Sequence, residues 1–349
     1  MLSWLSRYLI FILDGLYEGE MKMPSDIQDD EIKLLANTLP YIITKGRAKS
    51  TTGKYEIGWK GWVEWAKNKN EVKSRPAEPF YVATYLNHLL FINGTKGGLT
   101  TAFYGIRWAH HTVGLDSPTD NPLVQLAYEG CLRSIPGTRR KKEALPIDLL
   151  KKLVDYYTGN GTNLYNLRFL LVCLLGFCGF FRIEELLSVQ LKHISIERDH
   201  LSIFVEKSKC DQHREGEKVY ISRTGSKYCP VNFTETFLKE AGLSCVHNKE
   251  SFLIPTLHKS KKGYRASKSK GISDTRIREF FKEKIKAIDD RTNYGMHSLR
   301  SGGASAAAQN GVPDRLISKQ GRWASDNARN GYIQDSKATR LRVTKALGL

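Results

Sequence analysis

The stretch Met296-His297-Ser298-Leu299-Arg300-Ser301-Gly302-Gly303 decides how the rest of the chain is read. His297 and Arg300 stand three residues apart, so a helix over this segment puts both on one face. A histidine can hold or release a proton near neutral pH, and a guanidinium forks onto two phosphate oxygens. Together they suit chemistry on a phosphodiester. Two such residues also make an ordinary surface pair, so the reading rests on what stands at fixed distances from them.

Working outward, Arg182 lies upstream in LLGFCGFFRIEELLSV (174–189), a charge just beyond an apolar run. A cation there also suits the negative end of a helix. Downstream, GRWASDNARNGY (321–332) carries Trp323 and closes on Tyr332. Twenty-three positions separate Arg300 from Trp323, and nine separate Trp323 from Tyr332. Between the two arginines, Lys207 and Lys209 in VEKSK (205–209) follow an alternating run and share a parity, so both point to one sheet face. Breaking a phosphodiester without a metal needs cations on the non-bridging oxygens, an in-line nucleophile and an acid for the departing 5′ oxygen. These residue types supply that set. No acidic cluster suited to Mg²⁺ stands out, which disfavours a two-metal nuclease.

The sequence resembles the tyrosine recombinase (phage integrase) family at these positions. The family pattern is an arginine after an apolar helix, a lysine on a β-hairpin, His-x-x-Arg, a histidine or tryptophan, then the tyrosine. Both spacings above match its register, and Glu185, three residues after Arg182, matches a recurrent acidic position. KSKCDQHREG (207–216) and HSLRSGGASAA (297–307) look most like the eukaryotic mobile elements of the Crypton and DIRS type. The likeness covers roughly residues 145–335.

The resemblance implies that Tyr332 attacks the scissile phosphate and holds the 3′ end. It implies that Arg182 and Arg300 clamp the phosphate and that His297 assists the nucleophile's proton. Trp323, where many relatives carry histidine, would donate one indole N–H and shuttle no proton. Glu185 would orient the groups around it. The acid would be Lys209, with Lys207 as the alternative. Rejoining would need no ATP, no metal and no other cofactor. The partners would be double-stranded DNA and further copies of the chain, as a tetramer on paired sites. A type IB topoisomerase-like enzyme and a domesticated, non-cutting DNA-binding protein are the alternatives. A free phenol titrates near 10, so ionising one at pH 7 costs roughly 4 kcal/mol. A cationic pocket has to supply most of that.

The whole chain agrees with such a partner. Its 349 residues contain 54 Lys and Arg against 36 Asp and Glu, a formal +18, which calls for a polyanion. The six cysteines (131, 173, 178, 210, 229 and 245) form no CxxC pair and read as reduced thiols. The apolar run from Tyr8 to Leu13 is too short to span a bilayer and lacks a signal-peptide pattern. The chain reads as nuclear if eukaryotic, otherwise cytoplasmic, and not secreted.

The expected fold is mainly α with a small antiparallel sheet (α+β). Residues 1–30 are unassigned, and 31–135 form a helical domain that the resemblance makes the core-binding domain. Tyr55, Trp59, Trp62 and Ala66 make one helical face; further helices start near Pro79, Leu99 and Pro122. Residues 136–146 form a basic linker in which Arg139, Arg140, Lys141 and Lys142 face a phosphate backbone or solvent. Residues 147–349 form the catalytic domain with a C-terminal tail. There a helix over Leu164–Phe180 precedes strands at Leu201–Val205 and Val219–Ile221, joined by a polar loop, Cys210–Glu217. Lys259–Lys270 reads as a second basic loop, and helices return from Ser273.

Overall fold

The computed structural model describes residues 27–137, 142–159, 162–206, 216–261, 263–290 and 293–348. It divides into two compact units, Met1–Arg139 and Arg140–Leu349.

The first unit is helical: α1 (Asp30–Lys45), α2 (Lys49–Lys67), α3 (Pro79–Phe91), α4 (Lys96–His111) and α5 (Pro122–Ser134). Pro79 and Pro122 each open a helix, where a missing N–H costs nothing. α4 starts at Lys96 rather than Leu99 because the Thr95 side chain caps the Gly98 N–H. Trp59 and Trp62 lie in the core, and the Trp62 indole donates to the Ser74 carbonyl at 2.9 Å.

The second unit is built around α7 (Leu164–Cys178), apolar except for Asn166 and Arg168 and buried along nearly its whole length. α6 (Ile147–Gly159) precedes it and α8 (Ile183–Ser188) follows. A three-stranded antiparallel meander comes next: β1 (Ile194–Ile196), β2 (His200–Val205) and β3 (Glu217–Ser222), in that spatial order. Leu201, Ile203 and Val205 point into the core and alternate with outward residues. Val205 pairs with Glu217, so Glu217 belongs to β3 rather than to the loop before it. After α9 (Pro230–Glu240) come β4 (Pro255–Ser260) and β5 (Gly263–Gly271), then α10 (Asp274–Lys286), α11 (Met296–Gln309), α12 (Asp314–Gly321), α13 (Asp326–Asn330) and α14 (Lys337–Lys345).

The basic loop expected over Lys259–Lys270 is instead the β4–β5 hairpin, with Leu257 opposite Ala266 and Lys259 opposite Tyr264. Pro255 and Ala266 are buried, Leu257 and Tyr264 pack partly against the core, and mostly polar and basic residues fill the other positions. Hydrophobic alternation is too thin there to announce strands. The apolar helix expected to reach Phe180 stops at Cys178, because Gly179 caps it and Phe180 turns left-handed at φ 47°. Arg139, Arg140 and Lys141 lie outside the described residues. The chain is pinned soon after them. Glu143 N–H donates to the Asn293 carbonyl and Leu145 N–H to that of Ser298, with Leu145 buried. The five described cysteines are free. Among the described residues no helix is long and apolar enough to cross a membrane.

Candidate active site

Arg182 and Glu185 enter from the end of α7. The turn through Gly179 and Phe180 leads into α8, where Glu185 accepts from the Arg182 backbone N–H at 2.9 Å. Its other oxygen takes the Arg182 guanidinium at 2.6 Å. Glu185 is buried, and burial by itself would raise its carboxyl. Arg322 first, then the hydrogen bonds from Arg182, outweigh that and hold it below the usual carboxylate range.

His297 and Arg300 come from the first turns of α11, which the Ser298 side chain closes by accepting the Gly295 N–H. α11 lies close against the start of the unit and the end of α7 because Gly302 and Gly303 have no side chain. A Cβ on Gly302 would sit 2.3 Å from the Leu145 carbonyl oxygen, and one on Gly303 would sit 2.0 Å from that of Phe177. Arg300 is thereby sunk completely. Its two terminal nitrogens donate to the carbonyls of Phe180 and Gly321, while its Nε has no acceptor. Burial, then Arg182 and Arg322, lower its hold on its proton; Glu185 and Tyr332 act the other way. His297 keeps part of its ring in solvent. Its inner side is desolvated, and that first, then Arg278, Arg300 and Arg182, depress it below its ordinary value of 6.5.

Trp323 and Tyr332 close the site. Trp323 packs in a small apolar cluster with Phe180, Ala304 and Ile317, and its buried indole N–H has no acceptor. The Arg300 guanidinium lies 4.5 Å from the Trp323 ring centre and 5.0 Å from that of Tyr332. Tyr332 is half-buried, with the Trp323 ring 5.2 Å away and the His297 ring 6.4 Å away. Arg329 fixes the short α13 just before it, through Asp314, Asp326 and Ser318. The Tyr332 N–H then donates to the Arg329 carbonyl at 2.9 Å.

Six of the residues chosen from sequence therefore meet: Arg182, Glu185, His297, Arg300, Trp323 and Tyr332. Lys207 and Lys209 fall outside the described residues, just past the end of β2. Lys142 is described, and its carbonyl accepts from the Gln334 side chain at 3.2 Å. Among the described residues no group of three or more His, Cys, Asp or Glu could hold a metal ion. Sequence reasoning missed Arg322, Arg329 and Gln320. Gln320 bridges the Cys178 and Tyr220 carbonyls. All three lie in or beside the stretch quoted for Trp323 and Tyr332, but nothing in their spacing sets them apart from surface residues.

The chain is matched by the model of the phage integrase family over residues 143–339. An integrase/recombinase xerD homolog of Selenomonas ruminantium is 26% identical over 297 residues, which is 84% of this chain and 83% of that protein. The fold is similar to that of the XerH site-specific recombinase solved with a palindromic difH substrate after cleavage. That match has a TM-score of 0.58 at 14% identity, over 99% of this chain and 94% of that one. It is also similar to a lambda integrase (75–356) dimer bound to a COC′ core site, with a TM-score of 0.53 at 13% identity, over 88% and 96%.

Proposed function

This chain belongs to the phage integrase family and is a tyrosine-type DNA recombinase, and from that premise we propose how its residues cut and rejoin DNA. Tyr332 Oη attacks the scissile phosphorus in line and its proton passes to His297. The bond from phosphorus to the 5′ oxygen breaks, leaving a 3′-phosphotyrosine, and Lys209 protonates the departing oxygen, with Lys207 the alternative. Arg182 and Arg300 neutralise the phosphate, the Trp323 indole donates to it, and Glu185 keeps the arginines in place. Reversal rejoins the strand, so neither ATP nor a metal is required.

One observation carries this reading. Beside Tyr332 lie two buried N–H donors with no acceptor, Arg300 Nε and Trp323 Nε1. Unsatisfied buried donors destabilise a fold, and an arriving anion would satisfy them.

The substrate is double-stranded DNA, which the overall charge favours and on which XerH and lambda integrase were solved. Residues 31–135 act as the core-binding domain. Lys207, Arg139, Arg140, Lys141 and Lys142 contact the backbone. The active form is a tetramer on paired sites, with the exposed α14 available to a neighbouring copy. The enzyme moves a genetic element, and its 207–216 and 297–307 segments favour a eukaryotic Crypton- or DIRS-type source and action in the nucleus.

The test is a nicked suicide DNA bearing the element's ends. The protein should become covalently attached to it. Tyr332→Phe, which removes one oxygen and little packing, should form no adduct while binding the DNA as before. An adduct in that variant would remove Tyr332 from its role.

A further inference from the structure

Three arginines, not two, surround Glu185. Arg182 bonds one carboxylate oxygen at 2.6 Å, and Arg322 bonds the other at 2.7 Å. Arg300 stands 3.9 Å from that second oxygen. Arg322 belongs to no pattern that pointed to this site, yet its guanidinium is as buried as the rest. It donates to the carbonyls of Gly179, Phe180 and Gln320 as well. The Phe180 carbonyl is thus shared by Arg300 and Arg322.

The backbone at Arg322 makes the side chain's role sharper. Arg322 terminates α12 in the left-handed conformation, at φ 55° and ψ 45°. Glycine sits there without strain, and a side chain does not. The strained backbone is compatible with the fold because the guanidinium is anchored at four acceptors.

Charge explains what the anchoring achieves. Three guanidiniums and one carboxylate leave a net of two positive charges in a water-poor site. A phosphodiester carries one negative charge, and attack by a phenolate oxygen brings a second. The cluster is therefore balanced for the pentacoordinate state and over-charged without it. Without Arg322, the full charge of Glu185 would fall on Arg182 and Arg300 and draw both toward the carboxylate.

We propose that Arg322 is a positioning residue of the strand-cleavage reaction: it shares Glu185 with Arg182 and the Phe180 carbonyl with Arg300, so that neither arginine is drawn wholly onto those acceptors and away from the phosphate. The proposal rests on the recombinase reading above, and adduct formation by the unaltered enzyme tests that reading separately.

The experiment measures Tm, single-turnover adduct formation and affinity for uncut DNA in four proteins: unaltered, Arg322→Gly, Glu185→Gln and Arg322→Gly/Glu185→Gln. Glycine suits the local φ, so loss of the guanidinium is separated from backbone strain. Arg322→Gly should slow adduct formation about 100-fold with affinity changed by less than about threefold. The double variant should be at least about tenfold faster than Arg322→Gly, because no unbalanced carboxylate then competes for Arg182 and Arg300. A merely structural Arg322 would lower Tm and affinity for uncut DNA together with the rate, Glu185→Gln would restore all three together, and that pattern would overturn the proposal. Arg322→Gly within about threefold of the unaltered rate, or a double variant no faster than Arg322→Gly, would overturn the proposal. If Arg322→Gly fails to fold, Arg322→Lys keeps the charge without the fork. It should then cleave more slowly than the unaltered protein and be sped up by Glu185→Gln, and the absence of that gain is equally fatal.

Discussion

Arg300, Glu185, Arg322 and Trp323 are each at most 7% exposed, whereas α14, which begins five residues after Tyr332, has no buried residue at all. The first group forms a floor. Its charges are out of water, two of its backbone turns are left-handed at Phe180 and Arg322, and every carboxylate oxygen is held. His297 and Tyr332 stand at the rim, partly open, and the chain beyond them carries exposed Leu341, Val343 and Leu347. The contrast teaches a division of labour. Electrostatic stabilisation needs fixed dipoles in a dry setting, so it is built into the core. Proton transfer and strand exchange need access, and the groups proposed to serve them lie at the edge.

That division makes the largest effect also the most diagnostic. Lys209→Ala should slow cleavage by about 10²- to 10⁴-fold, the usual range for a general acid. Sulfur at the 5′ bridging position gives a leaving group that needs no proton, and it should restore the rate. Arg182→Ala should be slowed as well, but sulfur should not rescue it, because a phosphate clamp is not a proton source. Rescue of Lys207→Ala in place of Lys209→Ala would transfer the acid's role to Lys207. Rescue of Arg182→Ala would mean that Arg182 acts on the departing oxygen rather than as a phosphate clamp.

The floor itself can be broken without touching a charged residue. Gly303→Ala forces a methyl to within 2.0 Å of the Phe177 carbonyl oxygen and 2.7 Å of the Phe180 ring. Separating α11 from α7 should lower stability by about 3 kcal/mol or more, at the upper end for overpacking. Thermal unfolding should show this as a lower Tm, with adduct formation lost in parallel. A variant with an unaltered Tm would mean that the two helices separate at little cost.

These two tests mark where the sequence was legible. Elements with a strong pattern could be read: the Trp59 and Trp62 face, the largely apolar α7, and the alternation of Leu201, Ile203 and Val205. Lys259–Lys270, most of the second hairpin, was read as a loop because only Tyr264 and Ala266 within it pack against the core. The site was legible as residue types at fixed intervals, and six residues so chosen lie together in the structure. Arg322 was not legible, because what marks it is a backbone angle and a partner 137 positions away. Gly302 and Gly303 were visible in the quoted stretch, but only the packing of α11 shows why neither tolerates a side chain.

The rim has its own signature in pH. Desolvation and then the arginines at 278, 300 and 182 depress His297 below 6.5, so its neutral, proton-accepting form persists to lower pH than in a free histidine. The acid limb of the cleavage rate should therefore lie below pH 6.5 and should disappear in His297→Asn, whatever that variant's residual rate. The linked stability follows the same sign. Between the depressed value and 6.5 the unfolded chain binds more protons than the native one, so stability falls as pH drops through that window. An acid limb at or above pH 6.5 would show that neither desolvation nor the arginines depress this ring.

The smallest expected effect on chemistry concerns α14. Its Ser336 side chain caps the first turn, and nine residues, Lys337–Lys345, are helical. A helix this short is marginal alone in water and ordinarily relies on a docking surface. Among the described residues it buries nothing, and Leu341 and Val343, with Leu347 just beyond the helix, remain 45%, 66% and 64% exposed. A local cap would bury at least one of them. In the proposed tetramer a neighbouring copy on paired DNA sites would supply the surface that the described residues do not, and docking there would link one protomer's Tyr332 to the next. Deleting Asp335–Leu349 should therefore leave affinity for a single site, measured by gel shift, nearly unchanged. Light scattering on two-site DNA should show fewer tetramers, and strand exchange should fall with them. Full assembly and full exchange by the shortened protein would reduce α14 to a passive extension, and the open rim would then serve proton transfer alone.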